Sequence, residues 1–472
     1  MNMWRRMFFV ITCVVIFCFT TGYHKGCYLK PNVIIIMTDD QRWDTLSFMP
    51  SVQNELVAKG VTFTNSFVAT SQCCPSRATM LKGLYLHNFF MGDSSSPALS
   101  FHEAGEDRST IATWLHGAGY RTGMFGKYMN KYIELAPVIP PGWDVWKVFE
   151  LEGYYKYTLN EDGLSVRYET PGEDYSTDVL RNMLLDFVAE SAAMNRRFFA
   201  VYTPFAPHTG ECTDIGQSAP CPAVRHKGIL SGIDQYDSMS YFEEDMSDKP
   251  LWMQALLPIT DPVGTQALRI EQLESLLAVD EAVGMIVQRV EELGISDRTI
   301  VLFTSDNGWM VGDHNATGKL IGYEESIRVP LVIRYPWMLH NEPREESRMA
   351  VNIDLAPTIA DLAKIVIPDP VNGTSLKPLL LNQPMTGRED FLLEFLALVW
   401  PMPPTYAGVR TPEWKFIHTD PLWGLVEQEE ELYDLVNDPY ELNNLLMTDP
   451  TNPLYEDKAQ ELRLRLEELK NE

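Results

Sequence analysis

Residues 32–37 read Asn-Val-Ile-Ile-Ile-Met, a continuous β-branched run of the kind that forms a strand buried on both faces. The run ends in Asp39-Asp40. The same grammar recurs further along: residues 121–125 run into Gly126-Lys127, residues 198–203 into Pro207-His208, and residues 300–303 into Ser305-Asp306-Asn307. Before the last of these, Leu273, Leu276, Leu277, Val283, Ile286, Val287, Val290 and Leu293 recur at three- and four-residue steps, and Gly294 stops them, which predicts a helix feeding the strand at Ile300. Helix and buried strand in alternation predict an α/β fold with a mostly parallel sheet flanked by helices. In such sheets ligands bind at the carboxyl edge of the strands, where all four runs deliver polar groups.

Residues 355–363 predict another helix, after which Pro368, Pro370 and Gly373 mark a shift to shorter elements. This shift places a boundary between a catalytic domain at 23–370 and a smaller C-terminal α+β domain at 371–472. Residues 457–470 have the pattern of a charged amphipathic helix docked on the surface. Residues 135–175 and 209–264 carry no readable code and are expected to be the loops that choose a substrate. No internal repeat or low-complexity segment is present.

The first 22 residues change the compartment expected for the chain. Arg5 and Arg6 precede an apolar stretch at 7–19, which relaxes into Thr20, Thr21 and Gly22, the three-part build of a secretory signal peptide. A bilayer-spanning helix needs about 20 apolar residues, so stable membrane insertion is not expected, and the chain is assigned to the secreted or endomembrane-lumenal class. Asn315-Ala316-Thr317 and Asn372-Gly373-Thr374 fit the glycan acceptor pattern of that compartment. Of the 7 cysteines, Cys13 and Cys18 fall in the leader, leaving Cys27, Cys73, Cys74, Cys212 and Cys221. An odd number marks one as special or free. Cys212 and Cys221 bracket a short loop and either pair or remain thiols. The net charge of −27 over 472 residues, with no basic run, argues against nucleic acid as a partner.

The densest chemical signal is Cys73-Cys74-Pro75-Ser76-Arg77. It stands among residues 34–40 (Ile-Ile-Ile-Met-Thr-Asp-Asp), residues 125–130 (Phe-Gly-Lys-Tyr-Met-Asn), Ser305-Asp306-Asn307-Gly308, Gly312-Asp313-His314, Arg328-Val329-Pro330, and, nearer the C-terminus, Glu431-Leu432-Tyr433-Asp434-Leu435 and Asn437-Asp438-Pro439. With these motifs the chain resembles the formylglycine-dependent sulfatases, nearest the branch of glucosamine-6-sulfatases and heparan endosulfatases. The resemblance implies an alkaline-phosphatase-like fold and hydrolysis of sulfate esters, on a sulfated small molecule or saccharide. It implies that a formylglycine-generating enzyme oxidises Cys73 during maturation to an aldehyde that hydrates to a diol. One hydroxyl attacks sulfur, and the other then collapses to expel sulfate.

Carried over by motif, Asp39, Asp40, Asp306 and Asn307 would bind one divalent cation together with modified Cys73. The residue types agree: three carboxylates and an amide offer only oxygen, which suits calcium first and magnesium second. The pair Asp306-Asn307, where related zinc phosphodiesterases tend to present Asp-His, argues against a two-zinc site. The resemblance further implies that Arg77 holds the diol and metal ligands, that Lys127 and Lys319 clamp the sulfate oxygens, and that His208 contacts sulfate and protonates the leaving group.

Some residues depart from the family pattern. Met129 stands where many sulfatases have a histidine, leaving His314 and His87 as candidates to activate the diol. Gly126-Lys127-Tyr128-x-Asn130 and Leu86-His87-Asn88 resemble the glucosamine-6-sulfatase branch. Lys82-Gly83-Leu84 replaces the usual Thr-Gly-Arg ending, and the long basic insertion of the endosulfatases is missing. Two other functions fit the same residues: a phosphodiester or phosphonate-ester hydrolase of the superfamily, and an inactive secreted glycan-binding protein.

Overall fold

A computed structural model describes residues 30–91, 96–170, 172–211, 218–255, 261–383, 387–397, 403–421 and 428–472. The leader, Cys27 and Cys212 lie outside these described residues. The long apolar runs form the centre of one 10-stranded sheet. Its strands are Asn32–Thr38 (β1), Val61–Phe63 (β2), Arg121–Gly126 (β3), Val145–Leu151 (β4), Tyr157–Glu161 (β5), Leu164–Tyr168 (β6), Phe198–Thr203 (β7), Thr299–Ser305 (β8), Leu331–Arg334 (β9) and Arg344–Glu346 (β10). Across the sheet the order is β10-β2-β9-β8-β1-β7-β3-β4-β5-β6. From β8 through β4 every neighbouring pair is parallel. Every residue of β1, β7 and β8 is buried, as their unbroken apolar runs require.

Helices cover both faces. On one face Ser176–Ala193 and Pro262–Glu292 pack through Leu180, Leu184, Val283 and Ile286 onto Ile34, Ile36 and Phe303. On the other face Cys73–Lys82 and Leu355–Ala363 pack through Ala78, Leu81 and Ile359 onto Val33, Ile35 and Leu302. The helix expected before Ile300 starts earlier than its apolar period, at Pro262, because Asp261 caps it by accepting from Gly264 N at 2.9 Å. Residues 135–175, expected as loops, contain three strands that continue the sheet. Their pairs are antiparallel at β4-β5-β6, and β6 is largely exposed, so no continuous apolar run announces them.

Near the C-terminus Phe391–Phe395, Tyr406–Arg410, Trp414–Thr419 and Glu429–Asp434 (β11 to β14) form a separate antiparallel sheet. The helix expected over 457–470 spans Pro453–Leu469 and buries Ala459, Leu462, Leu466 and Leu469. These join Phe416, Leu432 and Tyr433 in a cluster that also contains Phe67, Ile327 and Val329. Cys221 is disulfide-bonded, and its partner lies outside the described residues. Among the described residues no helix is long and apolar enough to cross a membrane.

Candidate active site

Four adjacent strands, β8, β1, β7 and β3, end at the same edge, and backbone hydrogen bonds fix the residues just beyond them. Asp306 N donates to Thr38 O at 3.1 Å, Asp39 N to Ala206 O at 3.3 Å, and Lys127 N to Thr203 O at 2.9 Å. The chain turns sharply at Gly126, with φ +120, and a Cβ there would stand 2.0 Å from Thr203 O, so only glycine lets Lys127 leave β3 in this direction. Asp40 also has positive φ, which turns the chain as it leaves β1.

The Cys-x-Pro-x-Arg segment opens the helix Cys73–Lys82, whose residues are all buried. Pro75 sits in its first turn, where a missing N–H costs no helical hydrogen bond. Cys73 therefore occupies the first helical position and Arg77 lies one turn on. Arg77 Nε donates to Asp306 Oδ2 at 2.8 Å and its Nη1 to Lys127 O at 2.6 Å, while Nη2 stands 3.7 Å from Asp39. One guanidinium thus joins three of the four strand ends.

The two lysines reach the helix start from different elements. Lys127 Nζ meets Asp39 Oδ2 at 2.5 Å. Lys319, beyond the hairpin Met310–Val311/Thr317–Gly318, bonds Asp40 Oδ1 and stands 3.0 Å from Cys73 Sγ. Cys73 Sγ marks where the formylglycine oxygens would be. His208 Nε2 lies 3.5 Å from Asp40 Oδ2, and its Nδ1 is 2.6 Å from Thr209 O. That carbonyl can only accept, so Nδ1 carries the proton and Nε2 faces the centre, as an acceptor when neutral and a donor when protonated.

Charge is distributed to match. Burial would raise the Asp39 carboxyl, but Lys127, His208 and Arg77 outweigh it and hold it down at about 2. Burial would lower the lysines, yet Asp39 keeps Lys127, and Asp40 keeps Lys319, well above the ordinary lysine range. Burial raises the Cys73 thiol against the pull of both ammoniums. It pushes neighbouring Cys74 up to about 12, with Cys73 adding to the rise. Cys74 accepts from Asn130 N at 3.0 Å and packs in the core.

A cation fits this donor set. Asp39 Oδ1, Asp40 Oδ2 and Asn307 Oδ1 are buried without a hydrogen-bond partner. Donor atoms of Asp39, Asp40, Cys73 and His208 lie within 4.8 Å of one another. Uncompensated buried oxygens are costly, and a hard divalent ion satisfies them together. Asp306 is engaged differently: Oδ1 accepts from Asp40 N at 3.1 Å, and Oδ2 takes Arg77.

The structure places Asp39, Asp40, Cys73, Arg77, Lys127, His208, Asp306, Asn307 and Lys319 at one edge. It does not bring His314 or His87 to Cys73: His314 Nδ1 binds Glu243 at 2.6 Å and His87 binds Glu394 at 2.8 Å. Met129 is buried in the apolar core. Sequence reading missed Asn352, whose Nδ2 donates to Ser76 Oγ at 3.0 Å and Thr79 Oγ1 at 2.8 Å, fixing the helix that presents Cys73. It also missed Arg42, which ties the end of β1 to Trp309 O and Asp313, each at 2.8 Å. Neither lies in a motif, and only the fold brings them in.

The fold and this edge define a class. The sulfatase family model matches residues 31–365, and a model described as N-sulphoglucosamine sulphohydrolase, C-terminal, matches residues 312–472. The chain belongs to the sulfatase family. It is 31% identical to the N-acetylglucosamine-6-sulfatase of Capra hircus, over 90% of this chain and 81% of that protein. It is 33% identical to the extracellular sulfatase SULF-1 homolog of Drosophila melanogaster over 78% of this chain, but spans only 33% of that longer relative. A solved structure in complex with its substrate D-glucosamine-2-N,6-O-disulfate superposes with a TM-score of 0.78 at 25% identity, covering 94% of this chain and 98% of that one. A phosphonate monoester hydrolase of Agrobacterium radiobacter shares the fold, with a TM-score of 0.69 at 21% identity over 93% of this chain and 96% of that one.

Proposed function

We propose that this protein hydrolyses sulfate esters on glucosamine-type saccharides, with the 6-O-sulfate as the bond cleaved, in a secreted or endomembrane-lumenal compartment. The observation that carries this reading is the pair of ammoniums, Lys127 buried and Lys319 part-buried, held beside Cys73 at the carboxyl edge of a sulfatase fold. The family membership and the glucosamine-6-sulfatase relatives support the substrate class. The N-terminal pattern, the disulfide at Cys221 and the extracellular relative support the compartment.

Cys73 oxidised to formylglycine and one divalent cation, calcium or secondarily magnesium, held by Asp39, Asp40, Asp306 and Asn307, would supply a hydroxyl nucleophile and a Lewis acid for sulfur–oxygen cleavage. The chain's own residues do the rest. Lys127 and Lys319 approach from different elements, so sulfate oxygens in front of Cys73 meet fixed positive charge that needs no reorganisation as the transition state forms. Arg77 neutralises Asp306 and Asp39 and keeps them in register with Lys127. His208 presents Nε2, and as imidazolium can deliver a proton to the departing sugar oxygen.

A panel of defined substrates tests this: glucosamine 6-sulfate, N-sulfoglucosamine, galactose 6-sulfate and an aryl phosphonate monoester. The expected result is fastest turnover of glucosamine 6-sulfate. Faster turnover of the phosphonate, or none of any sulfate ester by protein whose Cys73 is modified, would overturn the reading.

A further inference from the structure

Away from the active edge, three buried side chains from different segments bring ligand atoms close together. His314 lies at the tip of the hairpin Met310–Val311/Thr317–Gly318, Glu325 in the short helix Glu324–Ile327, and Glu441 after β14. Their exposures are 1%, 7% and 0%. His314 Nε2 and Glu325 Oε2 stand 3.8 Å apart with no hydrogen bond between them, Glu441 Oε1 meets the ammonium of Lys415, and ligand atoms of the three residues lie within 4.8 Å of one another.

The other polar atom of each side chain is already held. His314 Nδ1 binds Glu243 Oε2 at 2.6 Å, Glu325 Oε1 accepts from Ser240 Oγ at 2.9 Å, and Glu441 Oε2 accepts from Glu324 N at 2.8 Å. With Nδ1–H donated to Glu243, a neutral His314 Nε2 would turn its lone pair toward two carboxylates, so the site calls for positive charge. Against burial, Glu243 and Glu325 favour the imidazolium, and a cation among the three ligand atoms would supply the same charge with His314 neutral. A histidine whose far N–H is donated to a carboxylate is the form in which metal-ligating histidines are oriented. Lys415 Nζ stands 2.6 Å from Glu441 Oε1 and 2.9 Å from Glu324. Glu243 also lines a cavity of about 490 Å³ with Glu244, Asp245 and Asp248, an acidic approach for a cation.

We propose that His314, Glu325 and Glu441 form a second, structural divalent-cation site that fastens the turn after β14 to the hairpin leading to Lys319. One imidazole nitrogen and two carboxylate oxygens suit zinc, which takes such ligands at about 2.0–2.2 Å, better than calcium, which prefers oxygen alone.

The test uses the full-length protein as wild type, as Asp306→Ala, which disturbs only the active edge, and as Asp306→Ala combined with His314→Gln. Each is stripped with chelator and titrated with zinc alone against a metal-sensitive dye. The site predicts one tight zinc in Asp306→Ala that is weakened roughly a hundredfold or more with His314→Gln, counted over and above any zinc that Asp39, Asp40, Cys73 and His208 hold equally in both variants. Zinc should raise the unfolding temperature of the first variant and not of the second, and X-ray absorption should show one imidazole among oxygen donors. Glu441→Gln is a second variant, expected to weaken zinc in the same way if His314→Gln folds poorly. Zinc affinity unchanged by both substitutions, or no tight zinc in Asp306→Ala, would overturn the proposal and leave shared protons as the occupant. Because Asp306→Ala already lacks an intact catalytic centre, either result is independent of the sulfatase reading.

Discussion

At the scale of single residues, the centre works by holding charge in fixed places. Lys127 and Lys319 are each neutralised by one aspartate and still border Cys73, so removing either leaves a buried carboxylate uncompensated and strips a charge from the sulfate position. Lys127→Ala and Lys319→Ala should each lower kcat/KM by on the order of a hundredfold or more with the fold retained. Steady-state kinetics beside circular dichroism check this, and wild-type kinetics in both would remove these lysines from the mechanism. Asp39, Asp40, Cys73, Arg77, Lys127, Asp306 and Asn307 sit in motifs at a strand end or helix start, where local spacing reports position, whereas Lys319 was placed by its distance from Asp306-Asn307 under the family resemblance. Asn352 and Arg42 were not legible, because each acts on a partner that only the tertiary fold brings near. His314 was legible as a residue but not in its surroundings: the sequence makes it a candidate to activate the diol, whereas the ring is turned to Glu243 and lies tilted against Tyr323 with 4.5 Å between ring centres.

At the scale of elements, two buried carboxylates fasten segments that lie away from the site. Asp280, on the long helix Pro262–Glu292, accepts from Ser51 N at 2.9 Å and Val52 N at 2.8 Å, capping the first turn of Pro50–Glu55 from outside. Asp280→Ala leaves those N–H groups unsatisfied and should cost about 1–3 kcal/mol of stability with turnover intact, as read from denaturant unfolding and kinetics. Glu346, ending the edge strand β10, is contacted by Arg348 at 2.6 Å and Arg344 at 2.9 Å. Burial raises its carboxyl, but bonds from Arg348 and Arg344 outweigh this and hold it at about 2, below its ordinary 4.5. A depressed acid stabilises above its unfolded value, so this contribution is present above about pH 4.5 and is lost as pH falls through about 2. Glu346→Gln should melt lower near pH 7 and show a shallower acid decline than wild type; parallel melting curves from neutral to acid pH would contradict it. The strands were legible to the degree that they are buried on both faces. β1, β3, β7 and β8 are apolar runs, while β4 to β6 pair at the sheet margin with mixed faces, and their sequence looks like loop.

At the scale of the whole molecule, parallel strands gather polar ends at one edge, the helix start brings Cys73 to that edge, and the C-terminal sheet closes against the hairpin that leads to Lys319. That gathering was legible because strand direction follows from helix–strand alternation. The C-terminal sheet's contribution was not, because its partners are set by packing between distant segments. The account stands or falls on Cys73. Its spacing to Pro75 and Arg77, and its place 3.0 Å from Lys319 Nζ, are what the proposed mechanism requires of the residue whose modified form attacks sulfur. Cys74 is held in the core with its thiol pushed up to about 12. The most direct measurement pairs peptide mass spectrometry of residue 73 with turnover of glucosamine 6-sulfate, in protein made with and without a co-expressed formylglycine-generating enzyme. Turnover should rise in proportion to the fraction carrying formylglycine at position 73 and vanish in Cys73→Ala. Full turnover with cysteine intact at position 73, or in Cys73→Ala, would contradict the mechanism.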